Sequence, residues 1–264
     1  MASLTAAAES LTFLVNPWAL SIGAWVGLYF AMRIAVMVGV EGTASLLCRL
    51  LPKLPSRTGP AQPYQHPVDW TDVIYLFINS FIEFCFAAHL SFFSWNSPMI
   101  ARSLESAGLL NTVGGVWMLL VCDDMLYAPV HRLMHWPPLY KYVHKHHHRN
   151  TYPSRGYVDG ANEHPLEQVV AMSLHGAAAR IVAATTGLHV AAITAHLGLK
   201  AMGAVFNHTG TDLQIRFLGI DYSSGAHEMH HRKPNKNYAQ YVLFWDRLMG
   251  THAPYELPGK RTAH

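Results

Sequence analysis

Long apolar runs separated by polar loops form the first half of the chain. Phe13 to Met32 is a run of twenty residues without a charge, and Val73 to Trp95 carries Glu83 as its only acidic residue. A helix needs about 20 predominantly apolar residues to span a bilayer, so both runs are predicted to span one. A third run, Leu109 to Cys122, is shorter and leads directly into a pair of aspartates.

Two further apolar segments, 166–187 and 188–207, contain Arg180 and Lys200. Their alanine and glycine content suits close packing of helices in a membrane. They are interpreted as a helical hairpin that crosses the bilayer fully or only in part. The pattern therefore predicts an all-α integral membrane bundle of about four transmembrane helices, capped by a histidine-rich helical region. One domain is expected over 1–264, in which 1–122 is mainly membrane helix and 123–251 carries the chemistry.

The distribution of basic residues predicts an orientation. The first 32 residues contain no Lys or Arg, whereas the loop 41–72 holds Arg49, Lys53 and Arg57. Cytoplasmic loops carry an excess of Lys and Arg, so 41–72 is predicted to be cytoplasmic and the N-terminus to lie on the opposite side. The chain from about residue 124 onward is then cytoplasmic as well.

Composition narrows the class of protein further. Only 13% of the residues are charged, against about 25% in an ordinary soluble domain. The net charge of +3 comes without a dense Lys/Arg stripe, so nucleic acid is not an expected partner. The three cysteines show no CxxC spacing, which argues against iron–sulfur clusters and cysteine-based zinc sites.

Histidines are concentrated in three short motifs: "HRLMH" at 131–135, "HKHHH" at 144–148 and "HEMHH" at 227–231. Residues three and four apart share one face of a helix, and His146 points away from that face. The spacing therefore predicts eight metal ligands: His131, His135, His144, His147, His148, His227, His230 and His231.

Two isolated histidines and two carboxylates extend this set. His164 lies in "NEHPLE" and His208 in "FNHTGTD", and both are added as candidate ligands. Asp124 lies two helical turns before His131, and Asp212 follows His208 by one turn. Both are predicted to be catalytic-site carboxylates that accept a hydrogen bond from a ligand imidazole, since such partners orient metal-bound histidines.

Eight to ten imidazoles are too many for one ion, so two metal ions are predicted. Calcium and magnesium prefer oxygen ligands, whereas imidazole suits zinc, copper, iron and nickel. The spacing does not choose among these four metals.

The order of these motifs resembles the fatty acid hydroxylase/sterol desaturase superfamily of membrane-bound, histidine-rich di-iron oxygenases. The resemblance is nearest to the sterol C4-methyl oxidase and C5-desaturase branch. It rests on the three histidine motifs and on "YKYVHKHHH" at 140–148, "NEHPLE" at 162–167, "NHTGTD" at 207–212 and "NYAQYVLFWDRLMGT" at 237–251.

The resemblance implies a di-iron centre on the cytoplasmic side of the membrane, with O2 as co-substrate. An unactivated C–H bond of a sterol or fatty-acyl lipid from the bilayer would be hydroxylated or desaturated. The ten histidines named above would be the iron ligands, and Trp245 and Asp246 would form a structural lock beneath the site. The implied location is the endoplasmic reticulum in a eukaryote or the inner membrane in a bacterium.

Such a reaction requires an external electron donor, because the chain has no flavin, haem or nucleotide motif. Cytochrome b5, or a ferredoxin with its reductase, is the expected donor. A basic cytoplasmic surface that includes Lys141, Lys145 and Lys236 fits either an acidic carrier or lipid headgroups. The oligomeric state is left open.

Two other classes of function remain open at this level. A zinc-dependent membrane hydrolase would need a general base, for which "HEMHH" offers Glu228. A metal-binding membrane protein without catalysis would favour histidines inside the spanning helices, whereas these motifs follow the helix ends.

Overall fold

The computed structural model describes residues 15–57 and 65–257, and these residues are mostly helical. Ten α-helices occur in the described residues: α1 (Ile22–Ile34), α2 (Gly42–Leu50), α3 (Trp70–Asn96), α4 (Gly115–Met134), α5 (Pro137–Val143), α6 (Tyr157–Gly160), α7 (Pro165–Thr186), α8 (Val190–Asn207), α9 (Ser224–Arg232) and α10 (Phe244–Met249). The π-helical segment Ala35–Glu41 joins α1 to α2, and a second one, Leu110–Gly114, leads into α4.

Short elements complete the described chain. Four 3₁₀ turns lie at Pro17–Ala19, Pro55–Arg57, Leu104–Ser106 and His147–Arg149. The short strands β1 (Ile100–Ala101) and β2 (Leu188–His189) pair in parallel, and β3 (Gln214–Phe217) pairs antiparallel with β4 (Ile220–Ser223). Sheet is thus a minor component, and the predicted all-α membrane fold is confirmed.

Five helical stretches in the described residues are long and apolar enough to cross a membrane: Ile22–Leu50, Trp70–Asn96, Leu110–Met134, Pro165–Thr186 and Val190–Asn207. The sequence predicted about four. The difference arises because both halves of the predicted hairpin are full-length helices. The first predicted run starts at Phe13, and its first two residues lie outside the described part of the chain.

The third stretch is longer than its apolar run suggested. It continues past Cys122 for three more turns to Met134, with Asp123 and Asp124 completely buried. Because the helix does not stop at the aspartates, the first histidine motif lies on its last turn. The short apolar run therefore marks only about the first half of the stretch Leu110–Met134.

The bundle is built around α4, which packs against α7 and α8, and α3 also packs against α7. Small buried residues such as Ala179 and Ala183 line α7 and let the helix axes approach closely. Gly115 serves the same purpose at the far end of α4, because a Cβ there would lie 2.8 Å from Leu188 Cδ2. The core includes Leu119 and Ile193.

Local sequence signals determine where the key helices begin. α3 starts with a capping box, in which Asp69 accepts from the Asp72 N–H and Asp72 accepts from the Asp69 N–H. α7 starts with Pro165 at its first position, and His164 is its N-cap. The first turn of α7 lies at the same end of the bundle as the last turn of α4.

Candidate metal centre

The histidines come together from the end of α4, the end of α8, the segment 144–149 and helix α9. The last turn of α4 carries His131, and His135 is its C-cap residue. Two prolines start α5 immediately afterwards, and α5 ends at Val143. The segment from His144 to Arg149 then forms a turn and a 3₁₀ helix, and α9 supplies the last histidine motif.

The imidazoles form two separate groups, and within each group the candidate ligand atoms all lie within 4.8 Å of one another. The first group contains five histidines: His131, His135, His144, His148 and His230. The second group contains four: His147, His208, His227 and His231. The groups adjoin, since the rings of His148 and His231 have centroids 4.5 Å apart.

Each of the two dense motifs divides its histidines between the groups. In α9, the i, i+4 pair His227 and His231 joins the second group, and His230 joins the first. In 144–148, the i, i+4 pair joins the first group and His147 joins the second. The helical face predicted for 144, 147 and 148 is not formed, because α5 has ended and the chain continues as a 3₁₀ turn.

Hydrogen bonds to main-chain oxygens fix the tautomer of several rings, because a carbonyl oxygen can only accept. The Nδ1 atoms donate at 2.7–3.0 Å in four cases: His131 to Tyr238, His208 to Ala204, His230 to Lys236 and His231 to Asn150. In a neutral ring of this tautomer, Nε2 carries a lone pair and no proton.

The arrangement of the Nε2 atoms in the first group fits a cation. His144 Nδ1 lies 2.5 Å from a carboxyl oxygen of Glu167. Along the row His131, His144, His148 and His230, neighbouring Nε2 atoms lie 3.0, 2.9 and 3.0 Å apart, and the Nε2 atoms at the two ends of the row carry no proton. The two inner Nε2 atoms carry at most one proton each, which cannot satisfy three contacts, so one contact is repulsive unless a metal ion lies among the four lone pairs.

The second group leads to the same conclusion. His227 Nε2 faces the unprotonated Nε2 atoms of both His208 and His231 at 3.2 Å. A single proton on His227 Nε2 satisfies only one of these two contacts. At least one repulsive contact therefore remains in each group without a cation, and the nine imidazoles fit two metal ions of the kind that bind nitrogen.

Burial keeps these imidazoles in the neutral form that binds metal. Burial is the main cause that lowers the pKa of His135 to about 3, and the neighbouring imidazoles lower it further. The same two causes hold the pKa values of six other candidate ligands well below the ordinary value: His144, His147, His148, His227, His230 and His231. Metal uptake at neutral pH therefore does not have to displace protons from these rings.

His164 and His146 lie outside both groups. The predicted ligand His164 instead caps α7, where its Nδ1 accepts the N–H of Leu166, and its ring packs edge-on against Tyr75. His146 Nε2 lies 3.0 Å from Asn162 Oδ1, as expected for a residue that points away from its neighbours. His208, the other isolated histidine, does join the second group.

The two predicted carboxylates do not contact the imidazoles in the described structure. The buried Asp124 accepts three main-chain N–H groups, from Gln240, Tyr241 and Val242. Asp212 is half-buried and accepts from the side chain of Gln214. Asp124 thus holds the loop after α9 and contacts no imidazole. Its effect on the histidines is indirect, because that loop supplies the carbonyls that orient His131 and His230.

Asp246 and Trp245 hold the same loop from its other end. Asp246 accepts the N–H groups of Tyr238 and Ala239 at 2.7 and 2.8 Å. Trp245 Nε1 donates to the carbonyl of Val121 in α4 at 3.2 Å. These contacts agree with the structural lock that the resemblance implied for this pair.

Glu167 is the carboxylate that the sequence did not single out. It lies on the first turn of α7, fully buried, and binds His144. The sequence feature that could have identified it is its position in "NEHPLE", three residues after His164 and therefore on the first helical turn after a proline. Only the packing of α7 against α4 shows that this turn faces the histidines.

We predict that Glu167→Gln lowers the affinity of the first group for its metal by about 10–100-fold, because the candidate ligand His144 loses the carboxyl group that holds its ring. A chelator-competition titration of the purified protein measures this. The matched control is Glu256→Gln, which removes a carboxylate that binds Lys233 rather than an imidazole. Equal affinities in the parent and Glu167→Gln proteins would contradict the orienting role.

A helical membrane bundle with two adjoining histidine groups at one end defines a class of integral membrane proteins with a candidate site for two metal ions. The model of the fatty acid hydroxylase family matches residues 116–251, which is half of the chain and includes every histidine of both groups. The chain belongs to the fatty acid hydroxylase family.

Curated relatives cover the same region. Methylsterol monooxygenase 1 of Rattus norvegicus is 30% identical over 138 residues, 51% of this chain and 45% of the relative. Very-long-chain aldehyde decarbonylase GL1-9 of Oryza sativa subsp. indica is 33% identical over 146 residues, 53% of this chain and 54% of the relative. The chain thus matches about half the length of these relatives. No solved structure matches it.

Proposed function

We propose that the protein is an O2-dependent di-iron oxygenase that hydroxylates or desaturates a sterol or fatty-acyl lipid at an unactivated C–H bond. The observation that carries this proposal is the set of nine imidazoles, divided into two adjoining groups whose candidate ligand atoms converge. Family membership supports lipid oxidation, and the relatives include methylsterol monooxygenases. Iron bound by these residues would supply the redox chemistry that activates O2.

The residues of the chain have three tasks in this proposal. The two histidine groups hold the ions, and Glu167 and the main-chain carbonyls of 236–238 orient the rings. Burial excludes water from the reacting atoms. His135 is only half-buried, unlike the other eight, and its ring lies between those of Tyr140 and Tyr238. We therefore propose that the substrate reaches the first group from the side of His135.

The hydrolase alternative lacks a free base at Glu228. Its carboxylate is fully buried and accepts from Ser56 Oγ at 2.8 Å and from Tyr255 OH at 3.0 Å. Arg57 neutralises it at 3.5 Å. A carboxylate held in this way anchors α9 to the segment before α3, and it is not free to activate a water molecule.

The electron donor is proposed to be cytochrome b5 or a ferredoxin with its reductase, and the active site is proposed to lie on the cytoplasmic side. Part of the basic surface is already used within the chain, since Arg149 pairs with Asp69 and Lys233 pairs with Glu256. Lys141 and Lys145 are exposed and flank the first histidine group. They support docking of an acidic carrier beside that group.

We expect cells that express the protein to accumulate a hydroxylated or unsaturated lipid that is absent from cells expressing His147→Ala. That variant removes one ligand of the second group, and lipid mass spectrometry with parallel metal analysis provides the readout. His164→Ala is the control and should retain the product, because it lies outside both groups. Identical lipids in the parent and His147→Ala cells, or O2-independent turnover with zinc alone, would overturn the proposal.

A further inference from the structure

A cavity of about 650 Å³ lies at the histidine end of the bundle, beside the second group. Its walls come from α2, from the segment 154–156 before α6 and from the end of α8. Val205 and Thr209 belong to this lining, and they lie on either side of His208 in the chain. Sites for small ligands are typically about 300–1,000 Å³ in volume, so this cavity is large enough to hold one.

The charged residues that line the cavity are mostly basic. Arg49, Lys53 and Arg155 contribute positive charges, and Glu41 contributes a negative one. Arg155 is already paired within the chain, because it contacts Asp159 at 2.6 Å. Arg49 and Lys53 are exposed, and no carboxylate in the described part of the chain forms an ion pair with either of them. These two cations therefore make the cavity suitable for an anion.

The carboxylate of Glu41 is directed at the wall of the cavity. It accepts the main-chain N–H of Tyr157 at the start of α6. It also lies against Gly156, where a Cβ would be 3.3 Å from Glu41 Oε1. The glycine thus lets the carboxylate approach the main chain closely. Because Glu41 is held by a main-chain donor, its charge does not neutralise Arg49 or Lys53.

Lys53 is held in position by a paired segment. Its main chain forms an antiparallel bridge with Thr211, and the Leu54 N–H donates to the Gly210 carbonyl at 2.9 Å. Lys53 Nζ donates to Thr211 Oγ1 at 3.3 Å. An ammonium group has three protons, so two remain for a ligand. A wall that is already ordered lowers the entropic cost of binding.

The length of the first span places the cavity at the level of the lipid headgroups. The stretch Ile22–Leu50 contains 29 residues, and at about 1.5 Å per residue it is roughly 43 Å long. The hydrocarbon core is about 30 Å thick, so the last turns of α2 can lie beyond it. Arg49 is in the last turn of α2, and basic residues at the end of a span are typical of the membrane boundary.

Apolar residues beside the cavity favour a lipid as the source of the anion. Leu46 and Leu50 lie one helical turn apart on α2 and are 58% and 76% exposed. Ala44 and Leu51 add apolar surface to the lining itself. Acyl chains can therefore lie along α2 while a phosphate reaches the basic side chains. A free phosphate ion would leave this apolar surface unused.

We propose that the cavity binds the phosphate of an anionic phospholipid in the leaflet on the side of the metal centre. Arg49 and Lys53 pair with the phosphate, and the hydroxyl groups of Ser45 and Ser154 line the same space. Basic pockets between membrane helices are suited to such headgroups. The bound lipid joins the end of the first span to the segment that follows His208. The proposal does not depend on the proposed reaction.

The test titrates the purified full chain in detergent with phosphatidylglycerol and follows lipid adducts by native mass spectrometry. The double variant Arg49→Gln/Lys53→Gln should bind this lipid at least about tenfold more weakly than the parent, because it loses two basic groups that face the phosphate. The matched control is Lys141→Gln/Lys145→Gln, which removes two exposed charges outside the cavity. This control should bind nearly as well as the parent.

Ser45→Trp provides a second variant in case the double variant does not fold. It fills the cavity without changing its charge and should also weaken binding. Phosphatidylcholine and inorganic phosphate are the comparison probes, and both should bind much more weakly than phosphatidylglycerol. Equal losses in the two double variants, or equal binding of the two phospholipids, would overturn the proposal. Displacement of phosphatidylglycerol by equimolar inorganic phosphate would assign the cavity to a free anion and would also overturn it.

Discussion

His230→Ala is expected to reduce the bound metal from about two ions per chain to about one and to abolish lipid turnover. His230 Nε2 faces His148 Nε2 at 3.0 Å and His135 Nε2 at 3.2 Å, so its removal takes a ligand from the centre of the first group. Loss of an orienting partner alone costs about 10–100-fold in affinity, and loss of a ligand should cost more. Metal analysis of the purified variant together with lipid mass spectrometry measures both effects.

The complementary variant removes a ligand from the other group. His227→Ala should release the second ion and leave the first, because its Nε2 faces only His208 and His231 at hydrogen-bond distance. His164→Ala is the control and should keep both ions, since this histidine caps α7. Full retention of metal by His230→Ala, or metal loss in His164→Ala equal to that in His230→Ala, would contradict the assignment of the groups.

Much of the fold could be predicted from local pattern, because a spanning helix is defined by a continuous apolar run. The limits appear where a charge lies within such a run. The third apolar run ends at Asp123 and Asp124, yet α4 continues to Met134 because both carboxylates have buried partners. Asp123 pairs with Lys200 at 2.9 Å across the bundle. The charge embedded in 188–207 is thus the partner that lets α4 continue.

The histidine motifs likewise revealed the ligands but not how they are grouped. Spacing of i, i+4 correctly pairs His227 with His231, since one helix holds both. Helical spacing cannot show that His147 belongs to the second group while His144 and His148 belong to the first, because this division depends on where α5 ends. Nor can it find Glu167, whose role comes from contact between segments distant in the chain. Local periodicity carries no information about such contacts.

The second large effect is expected from Asp124→Ala, which should lower the free energy of unfolding by about 3 kcal/mol or more. Three main-chain N–H groups, of Gln240, Tyr241 and Val242, would lose their acceptor, and each unsatisfied buried donor costs about 1–3 kcal/mol. The same loop supplies the Tyr238 carbonyl to His131. Metal content should therefore fall together with stability. Thermal unfolding in nanodiscs and metal analysis measure the two effects.

Asp124→Asn and Asp212→Asn separate this structural role from the one predicted from sequence. An asparagine at 124 keeps one acceptor oxygen but adds an N–H₂ group that faces main-chain donors. The free energy of unfolding of Asp124→Asn should therefore fall nearly as much as that of Asp124→Ala. Asp212→Asn changes a half-buried carboxylate whose partner is Gln214, and it should remain within about 0.5 kcal/mol of the parent. If Asp124→Asn instead unfolds like the parent but loses metal, the carboxylate acts on an imidazole, and the loop-anchoring role is refuted.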